Sequence, residues 1–455
     1  MTRRSLFALP FLSLAQPSTT RPNVVILLAD DLGWADVGFH ASEIRTPNID
    51  KLAREGVQLD RFYSFPVCSP TRSALMTGRS PMRLGVIYGV IRPYSDYGVP
   101  ADEHFMPESF RAAGYETAYT GKWHLGHGSA KYLPNRRGFD HAYGHMNGAI
   151  DYFTHIRDGG LDWNRDGKSV REEGYSTELL ANEAIRLIQR RNKSKPLFLY
   201  MPFNAPHAPL QAPAKYLDKY AQIKDTRRRS FCAMVDALDE NIGRVLTALD
   251  EQGMTNNTLV LFFSDNGGPV NQGARNTPLR GAKASTWEGG TRVPAIMRWP
   301  NHLKPGTKSS QVMQAIDVFP TLAAAVGVKP GNRLPLDGRN LWANIQAGKA
   351  EPREDLLFAV ENGNRMFLAI HHGDWKLVRE VPSSGGQPEN YLFRIAEDPT
   401  ESKDLAAANP EIVKDLVARL QKWQALSPRN AVRHTGVPPP GWKAPAQYAE
   451  AARPD

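Results

Sequence analysis

Cys68-Ser69-Pro70-Thr71-Arg72 sets a thiol, a proline and a guanidinium within one short run. Pro70 lacks an N–H and has its φ preset, so it suits the first turn of a helix. Cys68 then stands at a helix N-terminus, where free N–H groups and the macrodipole favour an anion. Arg72 falls one turn further on, within reach of an oxyanion on residue 68. For a lone thiol the plainer reading is a buried cysteine ahead of an ordinary amphipathic helix. A second set, Asp30-Asp31 and Asp265-Asn266, offers only oxygen ligands. Oxygen donors suit a hard cation, Ca²⁺ or Mg²⁺, and not zinc. Taken alone, each pair also reads as a helix cap or a solvated turn. Both pairs end apolar runs, where clustered carboxylates repel one another unless a cation lies between them.

Strands and helices alternate through the first two-thirds of the chain, which predicts an α/β fold with a sheet covered on both faces. Asn23 to Ala29 is a short apolar run suited to a central strand, and it ends in Asp30-Asp31. Tyr115 to Thr120 leads into Gly121-Lys122-Trp123-His124, Pro196 to Phe203 into Ala205-Pro206-His207, and Leu259 to Phe263 into Ser264-Asp265-Asn266. Apolar strands that finish in polar residues place those residues at the edge where open α/β sheets bind ligands. From about residue 350 the pattern changes to short extended runs and one amphipathic helix. This predicts a catalytic domain over 21–349 and a small antiparallel sheet with one helix over 350–430. Residues 431–455, with Pro438-Pro439-Pro440, are expected to be a loosely ordered tail.

A chain of 455 residues exceeds what one core usually serves, in keeping with a large domain plus a smaller one. Lys+Arg 56 against Asp+Glu 47 gives a net charge of +9, which points either to a polyanionic partner or to a generic solvated surface. No RNP motif, zinc finger or basic helical run is present, so nucleic acid is not the expected partner. Residues 1–15, with Arg3, Arg4 and the apolar run Leu6 to Leu14, read as an export signal and also resemble a twin-arginine leader. No later run is long enough to span a bilayer. The expected location is therefore exported, periplasmic or secreted. Cys232 falls on the apolar face of a helical pattern and is expected to pack as a small apolar side chain. A Cys68–Cys232 disulfide would consume the thiol of the Cys68 run.

Cys68-x-Pro70-x-Arg72 followed by Thr77-Gly78-Arg79 resembles the signature of the type I sulfatases, within the alkaline-phosphatase-like superfamily. The resemblance implies that fold, a large, mostly parallel mixed sheet between helices. It also implies conversion of Cys68 by a maturation enzyme to formylglycine, whose hydrate attacks the sulfur of a sulfate ester. Asp30, Asp31, Asp265 and Asn266 match the family's calcium ligands, together with residue 68; Mg²⁺ is the lesser alternative. Further motifs supply Lys122 and His124, then His207, then Lys283. Their implied roles are sulfate binding by Lys122, His207 and Lys283, protonation of the leaving alcohol by His207, proton removal by His124, and orientation of residue 68 by Arg72. The likeness runs from about Asn23 to the final helix. Gly148–His155, Lys195–Pro213 and Asn276–Arg292 resemble arylsulfatase B, an N-acetylgalactosamine 4-sulfatase. The expected substrate is thus a sulfated carbohydrate, a glycosaminoglycan or another sulfated polysaccharide. A phosphonate or phosphate ester hydrolase of the same superfamily shares the core motif, and a glycan-binding protein with unconverted Cys68 is a non-catalytic alternative. Tyr152, His155, Arg157 and Trp163 lie in a segment expected to hang over the sheet edge, where rings could stack on sugar faces and Arg157 pair with a uronate or second sulfate. The other reading is an Ω-loop packed by its own aromatics.

Overall fold

The strand Asn23–Ala29 is apolar from Val24 onward because both of its faces are covered. Val24, Ile26 and Leu28 enter one core, while Val25, Leu27 and Ala29 enter a second on the opposite face. The computed structural model describes residues 21–331, 333–428 and 436–455, so the export signal expected at residues 1–15 lies outside the described residues. Asn23–Ala29 sits near the middle of a ten-stranded sheet. Leu197–Pro202 and Thr258–Ser264 flank it in parallel, and Glu116–Lys122 and His141–His145 continue the parallel run beyond Leu197–Pro202. On the other side Ala295–Arg298 pairs antiparallel with Thr258–Ser264. The sheet is therefore mixed and mostly parallel at its centre. The long helix Thr226–Glu251 packs on the second core, its first turn capped by the Asp225 carboxylate, which accepts from the Arg227 N–H at 2.9 Å. Cys232 is buried on that helix and, like Cys68, is a free thiol.

A separate four-stranded antiparallel sheet is formed by Asp355–Asn362, Arg365–His372, Trp375–Pro382 and Glu389–Arg394. One face packs on the helix Pro410–Gln424 through Leu416, Leu420 and Trp423. The other packs through Phe358 and Val378 on Tyr63 and Trp287 of the main body. The chain beyond that helix differs from expectation. Instead of trailing loosely, residues 436–455 dock on the main body, with Tyr448 completely buried. The Tyr448 N–H donates to the Leu161 carbonyl at 3.0 Å, and the Leu161 N–H to the Ala446 carbonyl at 2.9 Å. The Ala130 N–H donates to the Arg453 carbonyl at 2.8 Å. A large apolar side chain and a row of backbone bonds outweigh the proline-rich composition that suggested disorder. Among the described residues, no helix is long and apolar enough to cross a membrane.

The two sheets are joined by buried charge. Lys376 is fully enclosed and places Nζ 2.9 Å from Glu288 Oε1 and 2.7 Å from Glu401 Oε1. The Glu288 carboxylate also accepts from the Tyr63 hydroxyl at 3.0 Å, and its backbone N–H donates to Glu401 at 2.7 Å. Removing Lys376 leaves two enclosed carboxylates with only the more distant Arg292, 3.7 Å from Glu288, to offset them, a costly arrangement in a protein interior. Lys376→Met, which keeps the length of the side chain, is expected to lower stability by about 3–5 kcal/mol. Urea unfolding followed by tryptophan fluorescence measures this, and an unchanged midpoint would show that the network adds no net stability.

Candidate active site

Strand register alone brings the first site residues together. Ala29 lies opposite Ser264 in the parallel pair, and the Asp265 N–H donates to the Ala29 carbonyl at 3.0 Å. The Asp30 N–H donates to the Ala205 carbonyl at 3.0 Å, so the turn carrying His207 meets the same edge. Cys68 opens the helix Cys68–Thr77, every residue of which is buried, and Gly78 closes it in the left-handed conformation at φ 64°. The loop into that helix is fixed by the Thr71 hydroxyl, which accepts from the Phe65 N–H at 2.8 Å. The Cys68 Sγ comes to rest 3.6 Å from Asp30 Oδ1 and 3.4 Å from Lys122 Nζ.

Three carboxylates, Asp30, Asp31 and Asp265, are completely buried here. Each has its own cation. Lys122 Nζ lies 2.6 Å from Asp30, Lys283 Nζ 2.6 Å from Asp31, and Arg72 bonds Asp265 Oδ2 through Nε at 2.9 Å and Nη2 at 2.8 Å. Arg72 also donates from Nη1 to the Lys122 carbonyl at 2.7 Å. Its guanidinium thus binds Asp265 and the Lys122 backbone, and it also feels the neighbouring Cys68. Burial and the adjacent Asp265 push the Asp30 carboxyl up to about 7, against the pull of Lys122 and Arg72. Burial acts on Asp31 too, but Lys283, His207 and Lys122 together hold it well below the usual carboxylate range. The Cys68 thiol, enclosed and facing Asp265, is pushed up to about 12.

The two histidines are neutral and oppositely wired. Burial, followed by Lys283, brings His207 down to about 3. Its Nδ1 donates to the Ala208 carbonyl at 2.7 Å, and Nε2 lies 3.6 Å from Asp31 Oδ2. His124 is driven well below its ordinary value by burial and by Lys122. Its Nε2 donates to the Ile91 carbonyl at 2.9 Å, which leaves Nδ1 enclosed and without a protein hydrogen-bond partner. A side chain at Gly148 would place Cβ 2.5 Å from the His124 ring, so only glycine allows that ring its position. His124 and Asp31 hold φ values of 60° and 73°, a conformation that side-chain-bearing residues adopt at a cost.

The site gathers donors of a kind that can hold a metal ion. Asp30, Asp31, Cys68 and His207 place ligand atoms within 4.8 Å of one another. Asn266 donates from Nδ2 to Asp31 Oδ1 at 2.7 Å, while its Oδ1 is buried with no partner. A buried amide oxygen left unsatisfied beside two carboxylates is what an oxygen-seeking cation would complete.

A cavity of about 260 Å³ opens onto this edge, and Cys68, His124, His207 and Lys283 line it. Lys122 does not; it stands fully buried behind residue 68. Of the four residues expected to read a sugar, only Arg157 reaches the cavity wall. Tyr152, His155 and Trp163 are buried, which removes them from sugar stacking. Trp163 stacks on His155 at 4.4 Å and donates from Nε1 to Glu172 at 2.9 Å. The Tyr152 hydroxyl contacts the Asn204 and His207 carbonyls at 2.6 and 2.7 Å, so it shapes the His207 turn instead. The segment is packed by its own aromatics, the second of the two readings. Arg92 and, from the C-terminal sheet, Glu361 and Asn362 also line the cavity. No local sequence pattern marks them, since their place depends on how a loop and a second sheet meet the first.

A family model described as Sulfatase matches residues 22–328, and one described as N-sulphoglucosamine sulphohydrolase, C-terminal, matches residues 282–426. Arylsulfatase J of Mus musculus is 34% identical over 454 residues, covering 89% of this chain and 76% of that protein. N-acetylgalactosamine-6-sulfatase of Homo sapiens is 34% identical over 437 residues, covering 86% and 82% respectively. The crystal structure of Ps i-CgsB in complex with k-i-k-neocarrahexaose superposes with a TM-score of 0.84 at 34% identity, covering 94% of this chain and 95% of that one. A phosphonate monoester hydrolase of Agrobacterium radiobacter, at 19% identity and a TM-score of 0.64, shares the fold alone. A sulfatase model spanning most of the chain, and relatives alike over nearly all of it, lead to one conclusion: the chain belongs to the sulfatase family and is a sulfate ester hydrolase.

Proposed function

We propose that the protein removes sulfate from a sulfated carbohydrate, with residue 68 acting as formylglycine and a calcium ion held by Asp30, Asp31, Asp265, Asn266 and residue 68. The observation that carries this reading is the convergence of Cys68, Lys283, His207 and His124 on one cavity directly above the buried carboxylates. The carbohydrate is supported by the named relatives, an N-acetylgalactosamine-6-sulfatase and a protein bound to neocarrahexaose. Those names differ in sugar and position, so the proposal is made for a sulfated glycan and not for one linkage.

When bound, the cation would supply Lewis acidity, and the formylglycine hydrate an oxygen nucleophile that a cysteine lacks. The chain's own groups divide the remaining work. Lys283, at the cavity wall, binds a sulfate oxygen while keeping its contact to Asp31. Lys122, enclosed 3.4 Å from Sγ, orients residue 68 from behind. Arg72 anchors Asp265 and so fixes one side of the carboxylate set. An anionic sulfate entering beside His207 offsets its burial and draws a proton onto Nε2, because Nδ1 already donates to Ala208. From Nε2 that proton passes to the departing sugar oxygen. His124, with Nδ1 free to accept, takes the proton that residue 68 must lose for sulfate to leave.

Three measurements test the proposal. Cys68→Ala removes the nucleophile from a fully buried position without adding bulk, and is expected to abolish sulfate release while leaving the circular dichroism spectrum unchanged. Near-full activity in that variant would overturn the chemistry. Metal analysis of the purified protein is expected to give one calcium per chain. Saturating Ca²⁺ at about 100 times its Kd should add about 2.7 kcal/mol to the stability of metal-stripped protein, and Asn266→Ala should reduce that gain. Stoichiometric zinc in its place would contradict the oxygen-donor site. His207→Ala should slow hydrolysis of a sugar sulfate by about 10²–10⁴-fold and that of 4-nitrophenyl sulfate far less, since a good leaving group departs without a proton. Equal losses on both would reassign His207 to sulfate binding.

A further inference from the structure

The loop that carries Arg92 has a second side. Pro93 lines the catalytic cavity and also a neighbouring shallow cavity of about 210 Å³. The floor and far wall of this second space come from the docked C-terminal segment, through Trp442, Pro445, Tyr448 and Arg453. We infer that it is a second sugar subsite, which holds the residue of the substrate chain next to the sulfated one. This inference rests on the glycan reading above and adds to it that the enzyme acts on oligomers.

Four features give the subsite its chemistry. Tyr94 and Trp442 stand edge to face, with ring centroids 5.7 Å apart, and both are half-buried, so aromatic surface borders the space. Aromatic rings offer the apolar C–H face of a sugar a flat partner without demanding charge. Tyr448 is completely buried and packs edge to face on His127, with ring centroids 5.5 Å apart, so it builds a rigid wall for this space. Arg92 lines the catalytic cavity next to Pro93, the residue both cavities share, and so sets a positive charge near the path from one space to the other. Finally, the segment is held in place by backbone and not by chance packing. Arg453 donates from its N–H to the Gly128 carbonyl at 3.2 Å and from Nη2 to the Asp96 carbonyl at 3.4 Å, tying the two loops that wall the cavity to the end of the chain. The combination of aromatic rings and one guanidinium suits a sugar better than a peptide or a lipid headgroup.

The experiment compares kcat/KM of the full-length protein, Trp442→Ala and Tyr94→Ala on 4-nitrophenyl sulfate and on sulfated di-, tetra- and hexasaccharides of the chondroitin and carrageenan series. Neither residue lines the catalytic cavity and both are half-buried, so the fold is expected to survive; thermal unfolding checks this. The expected result is a wild-type kcat/KM that rises with chain length. Trp442→Ala should lose about five- to tenfold on the hexasaccharide, the worth of one aromatic contact, with the aryl sulfate unchanged. Tyr94→Ala should lose in the same direction. A wild-type enzyme that desulfates these sugars with no length dependence would overturn the subsite and leave the glycan reading standing, as would variants that keep the full rise. A wild-type enzyme that cleaves the aryl sulfate but releases sulfate from none of the oligosaccharides would overturn both.

Discussion

The site depends on three parallel strands ending at one level. Asn23–Ala29 is in register with Thr258–Ser264 along its whole length, and Leu197–Pro202 runs beside it on the other side. Because all three exit at the same edge, Asp30, Asp31 and Asp265 are forced into one dry space with no choice of spacing. Three carboxylates there would repel and protonate if left alone. Lys122, Lys283 and Arg72 answer them one for one, each from a different element of the chain. Such a network in a low-dielectric interior works only when every member is present, since each unpaired charge costs far more than a pair yields. The positive φ values of Asp31 and His124 lie at the same place, so the backbone cost is borne where the charges converge.

The C-terminal sheet completes what the first sheet begins. Its buried Lys376 locks it to Glu288, a few residues past Lys283. Its edge strand then brings Asn362 over the catalytic cavity, where Nδ2 donates to the Ala284 carbonyl at 3.2 Å. The residue after Lys283 is thus pinned from the far side, and the lysine's backbone has little room to wander. A small antiparallel sheet that looks like an appendage in sequence is one wall of the cavity.

How much of this the sequence showed depended on whether the signal was local. Uniform apolar runs ending in Asp30-Asp31 and Asp265-Asn266 mark buried strands and their carboxyl ends, because a strand covered on both faces admits no polar residue until it leaves the sheet. The start of the helix that Cys68 begins was legible from Pro70 for an equally local reason. Orientation was not legible. Arg72 turned toward Asp265, and Tyr152, His155 and Trp163 turned inward to pack on one another and on Glu172, choices set by partners far away in the chain. The tail was misjudged because composition reports solvation and chain stiffness, while one completely buried tyrosine decides docking. Arg92 and Asn362 carry no motif at all; they matter by address.

Cys68 is 1% exposed, and each residue of its helix is buried with it. The finished fold presents none of that helix to the surface, so a second enzyme has no segment there to take hold of. On the proposed chemistry, conversion therefore belongs to the nascent chain, before the strands on either side of residue 68 close over it. Maturation and folding then run as a race over the same segment. A molecule that folds first is stable, correctly shaped and permanently silent, so the active fraction of any preparation records the relative speeds of two processes that ended before the protein was whole.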